Sequence, residues 1–503
     1  MSDAPYTLII GLEVHVQLQT QSKLFCGCST KFGQPPNTQT CPVCLGLPGS
    51  LPVLNHEAFR LGAIAGLSLN CEISRFMKWD RKNYFYPDLP KGYQISQFDL
   101  PLAHTGHLDI ELAADPNARD VAGESTVGNA PADETTGTLV KKRIRIIRAH
   151  LEEDAGKSMH DEVAGKNDTR IDLNRTGTPL LEIVSEPDMR SPAEARAYLE
   201  ELKLLMMYLD VSDCNMQEGS LRVDANVNLH IPEGDETIAT PIVEIKNLNS
   251  FRAVERAISY ETTRQWHEWE THHLRLGQAP KRTFGWDDQK ERTVEQREKE
   301  ESSDYRYFPD PDLVPVTVTP EYVDELRGGQ CELPAALRKR LQSDYGVDAY
   351  GADVLVNQGP QVVAYFEEVA AKSGSPQRAS NWVQQEVLRI LNDTKTVIQD
   401  FAVPATALAE LLKAVESGKL TTSRAKEVFQ TMFEDRVSAA AAMQSLGIEE
   451  VSQDDLVELC RELLNANPHI VDEVRNGKQK AIGALIGQAR QRNPNADPGE
   501  VRK

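Results

Sequence analysis

The sequence predicts an α+β domain with a central sheet, followed by an all-α helical domain and an α-helical C-terminal domain. Three observations lead to this fold class. Apolar patterns typical of strands are confined to roughly the first 290 residues. From Pro334 onward these patterns almost vanish, and Ala, Leu, Glu, Lys and Arg recur at helical spacing. Between the two parts, a charged stretch over residues 287–303 and four prolines after it indicate a linker.

The expected domains are residues 1–290, 291–405 and 406–503, and a chain of 503 residues suggests about three domains. Pro404 marks the division within the helical part. Residues 113–137, rich in Asp, Ala, Gly, Thr and Pro, predict a surface insertion in the first domain.

The elements of the first domain follow from their apolar periodicity. Strands are expected over residues 7–18, 143–146, 180–184 and 221–229, and helices over residues 192–208 and 253–273. In the first strand, apolar and polar residues alternate strictly after Gly11. Glu13, His15 and Gln17 therefore share one face of the sheet.

The overall charge limits the classes of partner. The 55 basic and 76 acidic residues give a net charge of −21, which excludes a generic basic nucleic-acid binder. Any contact with nucleic acid must be local. The stretch from Arg475 onward carries seven basic residues against two acidic ones, which suits either a phosphate backbone or a solvated helix face.

The apolar patterns also bear on the compartment. No run of 18 apolar residues is present, so no transmembrane helix is expected. The N-terminal residues resemble neither a secretory signal nor a transit peptide. We therefore expect a cytoplasmic protein without membrane contact.

Four of the eight cysteines lie in one short segment, as two close pairs: Cys26 with Cys28, and Cys41 with Cys44. Two such pairs can each occupy one edge of a tetrahedron, which predicts a closed, structural zinc site. Four unrelated buried thiols and a redox pair at Cys41 and Cys44 are the alternatives.

Carboxylates and one histidine on predicted strands form a second candidate site. Glu13 and His15 share a face, residues 152–154 follow the basic strand, and Glu182 lies inside an apolar run. A carboxylate buried in such a run needs a cation, a hydrogen-bonding partner or solvent. A Mg²⁺ ion held by oxygen ligands would join these segments, and His15 also suits Mn²⁺. Alternatively, Glu182 pairs with Arg143 or Arg145.

The segment over residues 80–94 concentrates aromatic and basic residues between proline and glycine breakers. Such a loop can stack a base and neutralise phosphates. Aromatic packing beneath a loop explains the same composition.

Six motifs together resemble the GatB family of aspartyl/glutamyl-tRNA amidotransferases, and the resemblance runs from end to end. The motifs are residues 10–15, 80–88, 151–157 with 172–175, 181–188, 218–222 and 304–309.

This resemblance implies an ATP-dependent ligase. Members of the family use ATP and Mg²⁺ to phosphorylate the side-chain carboxylate of Glu-tRNA(Gln) or Asp-tRNA(Asn), and ammonia then displaces the phosphate. Phosphorylation supplies the leaving group that a carboxylate lacks. The resemblance also implies a cradle-shaped first domain that contains the activation site, and helical and tail domains that bind the tRNA.

Carried over to this sequence, the family pattern assigns His15, Glu153 and Glu182 as Mg²⁺ ligands and Glu13 as a further ligand or proton acceptor. It assigns Lys82 to substrate or phosphate. Two tyrosines would flank the acylated end, Tyr84 and Tyr86. Zinc would bind Cys26, Cys28, Cys41 and Cys44.

The resemblance implies a heterotrimer as well. This sequence contains no convincing nucleophile for glutamine hydrolysis, so ammonia must come from a partner. The family supplies the amidase subunit GatA, together with the small subunit GatC. Two other functions stay open: a tRNA-binding scaffold without chemistry of its own, and an amide ligase acting alone on a small acid. Which misacylated tRNA is used is not fixed by the sequence.

Overall fold

The computed structural model describes residues 5–113, 139–160, 169–298, 305–448, 453–475, 478, 481–493 and 498–502. The insertion expected over residues 113–137 lies outside these ranges beyond its first residue, as do Lys480, Asp497 and Lys503. The chain divides into two compact units, Met1–Leu333 and Pro334–Lys503. The boundary expected near residue 290 falls inside the first unit.

The first unit contains seventeen strands and four helices among the described residues. The strands are β1 Thr7–Gln17, β2 Glu72–Ile73, β3 Phe76–Met77, β4 Asp80–Asn83, β5 Tyr93–Ser96, β6 Ala103–Ala113, β7 Leu139–Glu153, β8 Lys157–His160, β9 Thr169–Asp172, β10 Pro179–Ser185, β11 Leu221–Glu233, β12 Glu236–Ala239, β13 Val243–Lys246, β14 Arg282–Asp287, β15 Arg292–Glu298, β16 Phe308–Pro309 and β17 Val316–Thr317. The helices are α1 His56–Ser68, α2 Pro192–Tyr208, α3 Phe251–His272 and α4 Pro320–Gly328.

A mixed ten-stranded sheet forms the centre of this unit, in the order β15-β14-β13-β11-β1-β10-β7-β6-β2, with β12 paired to β11. Its described pairs are antiparallel except β13 with β14. Three small sheets flank it: β16-β4-β5, β17-β3 and β8-β9. The charged stretch over residues 287–303 was expected to be a linker, but residues 292–298 of it form the edge strand β15. Its charged side chains suit an edge strand that is exposed to solvent.

The two faces of the sheet differ in polarity because of the alternation in the sequence. Leu12, Val14 and Val16 of β1 are buried in the core cluster, whereas Glu13 and His15 between them are only partly buried. Helices α2 and α3 pack against each other and against β6 and β11. The apolar face is thus covered, and the polar face of the central strands is available for a site.

Side-chain caps mark where the helices α1, α2 and α3 begin. The Ser191 side chain accepts from the Glu194 amide, with Pro192 in the first turn of α2, and Ser250 caps α3 through the Ala253 amide. Asn55 caps α1 through the Glu57 and Ala58 amides.

The described part of the second unit is helical throughout. Its helices are α5 Pro334–Tyr345, α6 Ala349–Asn357, α7 Pro360–Ser373, α8 Pro376–Trp382, a π-helical turn Val383–Val387, α9 Leu388–Thr394, a 3₁₀ turn Ile398–Asp400, α10 Ala405–Glu416, α11 Thr422–Asp435, α12 Ala439–Ser445, α13 Gln453–Ala466, α14 Pro468–Arg475, α15 Ile482–Arg492 and α16 Pro498–Arg502. The expected order, a sheet domain followed by helices, is confirmed. None of the helices in the described ranges is long and apolar enough to span a membrane.

Candidate functional site

A row of four polar residues crosses the polar face of the central sheet. Antiparallel pairing sets Arg222 of β11 opposite His15 of β1, His15 opposite Glu182 of β10, and Glu182 opposite His150 of β7. Glu152 lies two residues beyond His150 and therefore on the same face. Residues separated by more than 130 positions in the sequence thus meet on neighbouring strands.

Glu182 is the centre of this row. Its Oε2 atom lies 3.4 Å from His15 Nε2 and 3.4 Å from His150 Nε2. Glu152 lies 3.7 Å from His15 Nε2 and 3.8 Å from His150 Nε2. One ligand atom each from His15, Glu152 and Glu182 can be chosen so that all lie within 4.8 Å of one another. We call these three residues the metal triad, because one divalent cation can bind all three.

The charges of the row favour ionised carboxylates. Burial alone would raise the pKa of Glu182, but the charge of His150 and hydrogen bonds with His15 and His150 hold it well below its ordinary value. Burial would lower the pKa of His150, yet the charge of Glu182 and a hydrogen bond with Glu152 raise that pKa to about 9. Burial would also lower the pKa of His15, but its hydrogen bond with Glu182 and the nearby carboxylate charges raise it overall, so both histidines offset the negative charge of the carboxylates. A divalent cation at this position would compensate the same carboxylates.

The structure places Glu153 away from the triad, contrary to the expectation that it is a ligand. As the neighbour of Glu152 on one strand, it faces the other way. It forms a buried ion pair with Lys91 and accepts a 3.2 Å hydrogen bond from the Ile95 amide. The triad carboxylate from this strand is Glu152.

The alternative partners of Glu182 are engaged elsewhere. Arg143 pairs with Asp109 and Arg145 with Asp188. The carboxylate of Glu182 is therefore compensated by histidines rather than by these arginines.

Lys82 on β4 lies near the triad carboxylates and is flanked by aromatic rings. Its Nζ atom lies 5.0 Å from the ring centre of Tyr305 and 5.8 Å from that of Tyr84. Burial would lower the pKa of Lys82, but Glu152, Tyr307 and Glu182 raise it above its ordinary value. The ammonium thus stays charged beside the carboxylates.

The two tyrosines expected near the substrate differ in exposure. Burial raises the pKa of Tyr84, whose hydroxyl donates to Gln94 at 3.3 Å, and Tyr86 contacts its ring edge-on while remaining 45% exposed. The loop therefore combines aromatic packing with a surface that a base can contact.

Glu13 belongs to a second group of carboxylates on the same face. Oxygen atoms of Glu13, Asp224 and Glu244 can be chosen that lie within 4.8 Å of one another. Asn226 donates to Glu13 at 2.9 Å, and Lys246 pairs with both Asp224 and Glu244. Sequence reasoning missed Asp224 and Glu244, although each occupies a polar position between apolar strand residues.

A cavity of about 500 Å³ adjoins this second group. Its lining brings together basic side chains from several segments: Lys31, Lys157, Arg175, Arg222 and Lys246. Asp154 anchors two of these cations, with 3.0 Å to Arg222 Nη2 and 3.4 Å to Arg175 Nε. The volume and charge suit a polyphosphate.

Arg148 is a further cation that the sequence did not single out. Strand alternation places it on the same face as His150 and Glu152. Its Nε atom is buried and has no hydrogen-bond partner within the described ranges. The sequence feature that could have identified Arg148 is its position in the charged strand β7, two residues before His150.

The cysteines meet as expected. The four Sγ atoms lie within 4.8 Å of one another, with 3.9 Å between Cys41 and Cys44. Tetrahedral zinc with Zn–S bonds of about 2.3 Å requires sulfurs roughly 3.8 Å apart, so the residues fit that metal. A hydrogen bond with Cys26 lowers the pKa of Cys44 to about 4, and Lys23 acts in the same direction.

Comparison with known proteins gives the family. Residues 8–324 match the family model of the GatB/GatE catalytic domain, and residues 364–503 match that of the GatB domain. The GatB-type subunit of the aspartyl/glutamyl-tRNA(Asn/Gln) amidotransferase from Rhodopirellula baltica is 57% identical over 499 residues, which cover 99% of this chain and 96% of that relative. The corresponding amidotransferase chain from Moorella thermoacetica, which has the same name, is 44% identical over 99% of this chain and 98% of that relative. The resemblance inferred from the motifs is confirmed, and this chain belongs to the GatB family.

Proposed function

We propose that this chain is the activating subunit of a tRNA-dependent amidotransferase. It uses ATP to phosphorylate the side-chain carboxylate of Glu-tRNA(Gln), Asp-tRNA(Asn) or both, and directs ammonia to the activated carbonyl. The observation that carries this proposal is the metal triad on the open face of the central sheet, beside a cation-lined cavity. Family membership supplies the reaction class.

The triad residues His15, Glu152 and Glu182 would hold Mg²⁺, with Glu13, Asp224 and Glu244 as a second oxygen site. Mg²⁺ at these positions would neutralise phosphate charge during phosphoryl transfer. The cavity beside the second site would hold the nucleotide, where Arg222 and Lys246 offset the remaining negative charge.

In the first step, a carboxylate oxygen of the substrate attacks the γ-phosphorus, and ADP leaves. Ammonia then attacks the acyl carbon, and the C–O bond breaks to release inorganic phosphate. Lys82 lies where a cation can hold the substrate carboxylate or its phosphate in line, and Tyr84 and Tyr86 would flank the acylated end of the tRNA. Glu13, in the second oxygen site, is the candidate to accept the proton that ammonia loses.

The remaining assignments follow the family. Ammonia would come from an amidase partner, GatA, with GatC completing a heterotrimer. Structural zinc would bind Cys26, Cys28, Cys41 and Cys44. The first unit would form the cradle, and the helical C-terminal part would bind the tRNA.

The proposal is tested in the reconstituted heterotrimer with misacylated tRNA and labelled ATP. Phosphate release and glutaminase activity are followed separately for wild type, His15→Ala and the control His267→Ala, whose side chain is 86% exposed. We expect phosphate release to collapse only in His15→Ala, while glutamine hydrolysis continues. If phosphate release persists there, the chain is a scaffold and the chemistry belongs to a partner.

A further inference from the structure

We propose that the cysteine segment, residues 18–55, is a positioning device for Glu152. This inference rests on the proposed function, since it takes Glu152 as a metal ligand. The chain of contacts runs from Lys23 and Cys44 through Gly177 and the Lys91–Glu153 ion pair to the end of β7.

Lys23 connects the segment to the thiols. Its side chain is completely buried, and its Nζ atom donates to the Gln39 carbonyl at 2.7 Å and lies 3.7 Å from Cys44 Sγ. Across the described residues it has no carboxylate partner, so the cysteine cluster supplies its compensating negative charge. Four thiolates on one Zn²⁺ carry a net charge of −2, which Lys23 halves. Zinc and Lys23 therefore stabilise each other.

Gly177 joins this cluster to Glu153. It has a φ of +83°, and a Cβ atom there would lie 3.6 Å from Cys44 Cβ, 3.6 Å from Lys23 Cδ and 3.5 Å from Glu153 Oε1. Its amide donates to the Asp154 carbonyl at 2.8 Å, and its carbonyl accepts from the Leu24 amide at 2.9 Å. One glycine thus separates the zinc ligand from the end of β7.

Lys91 forms a second connection. The backbone of Gly46 lies against its stem, because a Cβ at Gly46 would lie 2.5 Å from Lys91 Cγ. The ammonium of Lys91 pairs with Glu153, which also accepts from the Ile95 amide. The cysteine segment therefore covers the ion pair that fixes this residue.

Strand β5 connects Glu153 to the triad residue Glu152 through hydrogen bonds. Gln94 Nε2 donates to the Glu153 carbonyl at 2.7 Å, and Ser96 Oγ donates to Glu152 Oε2 at 3.3 Å. Because the Ile95 amide also donates to the Glu153 carboxylate, the same short strand holds both carboxylates, one on each face of β7. Partners behind a ligand of this kind typically alter metal affinity by about 10- to 100-fold when removed.

The test measures Mn²⁺ affinity by electron paramagnetic resonance, and zinc content by chelator release, on the full-length chain. Lys91→Met should keep its zinc and bind Mn²⁺ at least about tenfold more weakly, and Lys91→Arg should recover most of that affinity. Lys23→Met should lose zinc and weaken Mn²⁺ binding together. The matched control is Lys290→Met, because Lys290 is 63% exposed in the same unit and does not line the cavity.

His15→Ala separates this inference from the proposed function. If His15→Ala abolishes Mn²⁺ binding while Lys91→Met and Lys23→Met bind Mn²⁺ like wild type, the positioning role is overturned and the metal triad stands. If His15→Ala also binds Mn²⁺ normally, the triad is not the metal site and both proposals fail. Circular dichroism identifies a variant that does not fold, and in that case zinc removal from wild type by a chelator provides the same comparison.

Discussion

Glu152 and Glu153 are adjacent and chemically identical, yet their side chains contact different partners. Glu152 faces two histidines and Glu182, whereas Glu153 neutralises Lys91 in a buried ion pair. Loss of one partner from a buried pair leaves an uncompensated charge, which typically costs about 3–5 kcal/mol. Under the proposed function, loss of Glu152 instead reduces the affinity for the metal ion.

Matched substitutions separate the two roles. We expect Glu153→Gln to lower the unfolding free energy by about 3 kcal/mol. Glu152→Gln should weaken Mn²⁺ binding by more than about tenfold with a smaller loss of stability. Denaturant unfolding and Mn²⁺ titration of both variants provide the measurements. Equal losses of stability in the two variants would contradict the assignment.

The residues of the site were predictable to different degrees. His15 and Glu182 were found because each is a polar residue at a recognisable position in an apolar strand pattern. The choice between Glu152 and Glu153 depends on which face each occupies at the end of a strand. Asp224 and Glu244 join Glu13 only through the pairing of β1, β11 and β13, which a single sequence does not reveal.

At the scale of elements, the end of β10 is fixed to β7 by one carboxylate. Asp188 accepts from the Arg145 amide at 3.0 Å and from its guanidinium at 2.9 and 2.6 Å, just beyond the register shift between Val184 and Ser185. This contact holds the segment that carries Glu182. Hydrogen bonds from Arg145 lower the pKa of Asp188 below its ordinary value of 3.8.

A lowered pKa gives this contact a pH dependence. The stabilisation is complete above the ordinary pKa of 3.8 and is lost as the pH falls through the lower value of the folded state. Asp188→Asn should therefore be less stable than wild type at neutral pH, and the difference should shrink below about pH 4. Thermal unfolding across that range tests this, with Asp324→Asn as the control because Asp324 is 73% exposed. A stability difference between wild type and Asp188→Asn that stays constant below about pH 4 would contradict this prediction.

The elements themselves were largely predictable where periodicity was strong. The strand expected over residues 7–18 is β1 Thr7–Gln17, and the helix expected over residues 192–208 is α2. Strand β7 extends well beyond the four residues expected, because charged side chains alternate along its exposed part. The order of strands in the sheet depends on contacts between distant segments and lies beyond pattern reasoning.

At the scale of the whole molecule, a net charge of −21 must coexist with binding of a polyanionic tRNA. Coulomb interactions are screened beyond about 8 Å at physiological salt, so a local basic surface can bind phosphate despite the total charge. The basic stretch from Arg475 belongs to the second unit, whereas the core cluster belongs to the first. The proposed function therefore predicts that the second unit binds the tRNA and that the first unit carries the activation site.

Truncation tests that division. The core cluster of the first unit lies entirely between Leu8 and Leu326, so a chain of residues 1–333 retains its own apolar core and should fold alone. We expect it to bind Mn²⁺ and nucleotide like the full chain and to bind tRNA at least about tenfold more weakly. Filter binding at two salt concentrations measures the loss, and a smaller salt dependence should accompany it because fewer phosphates are neutralised. Unchanged tRNA affinity would instead place the binding surface on the first unit, where the cations around the cavity become the next candidates.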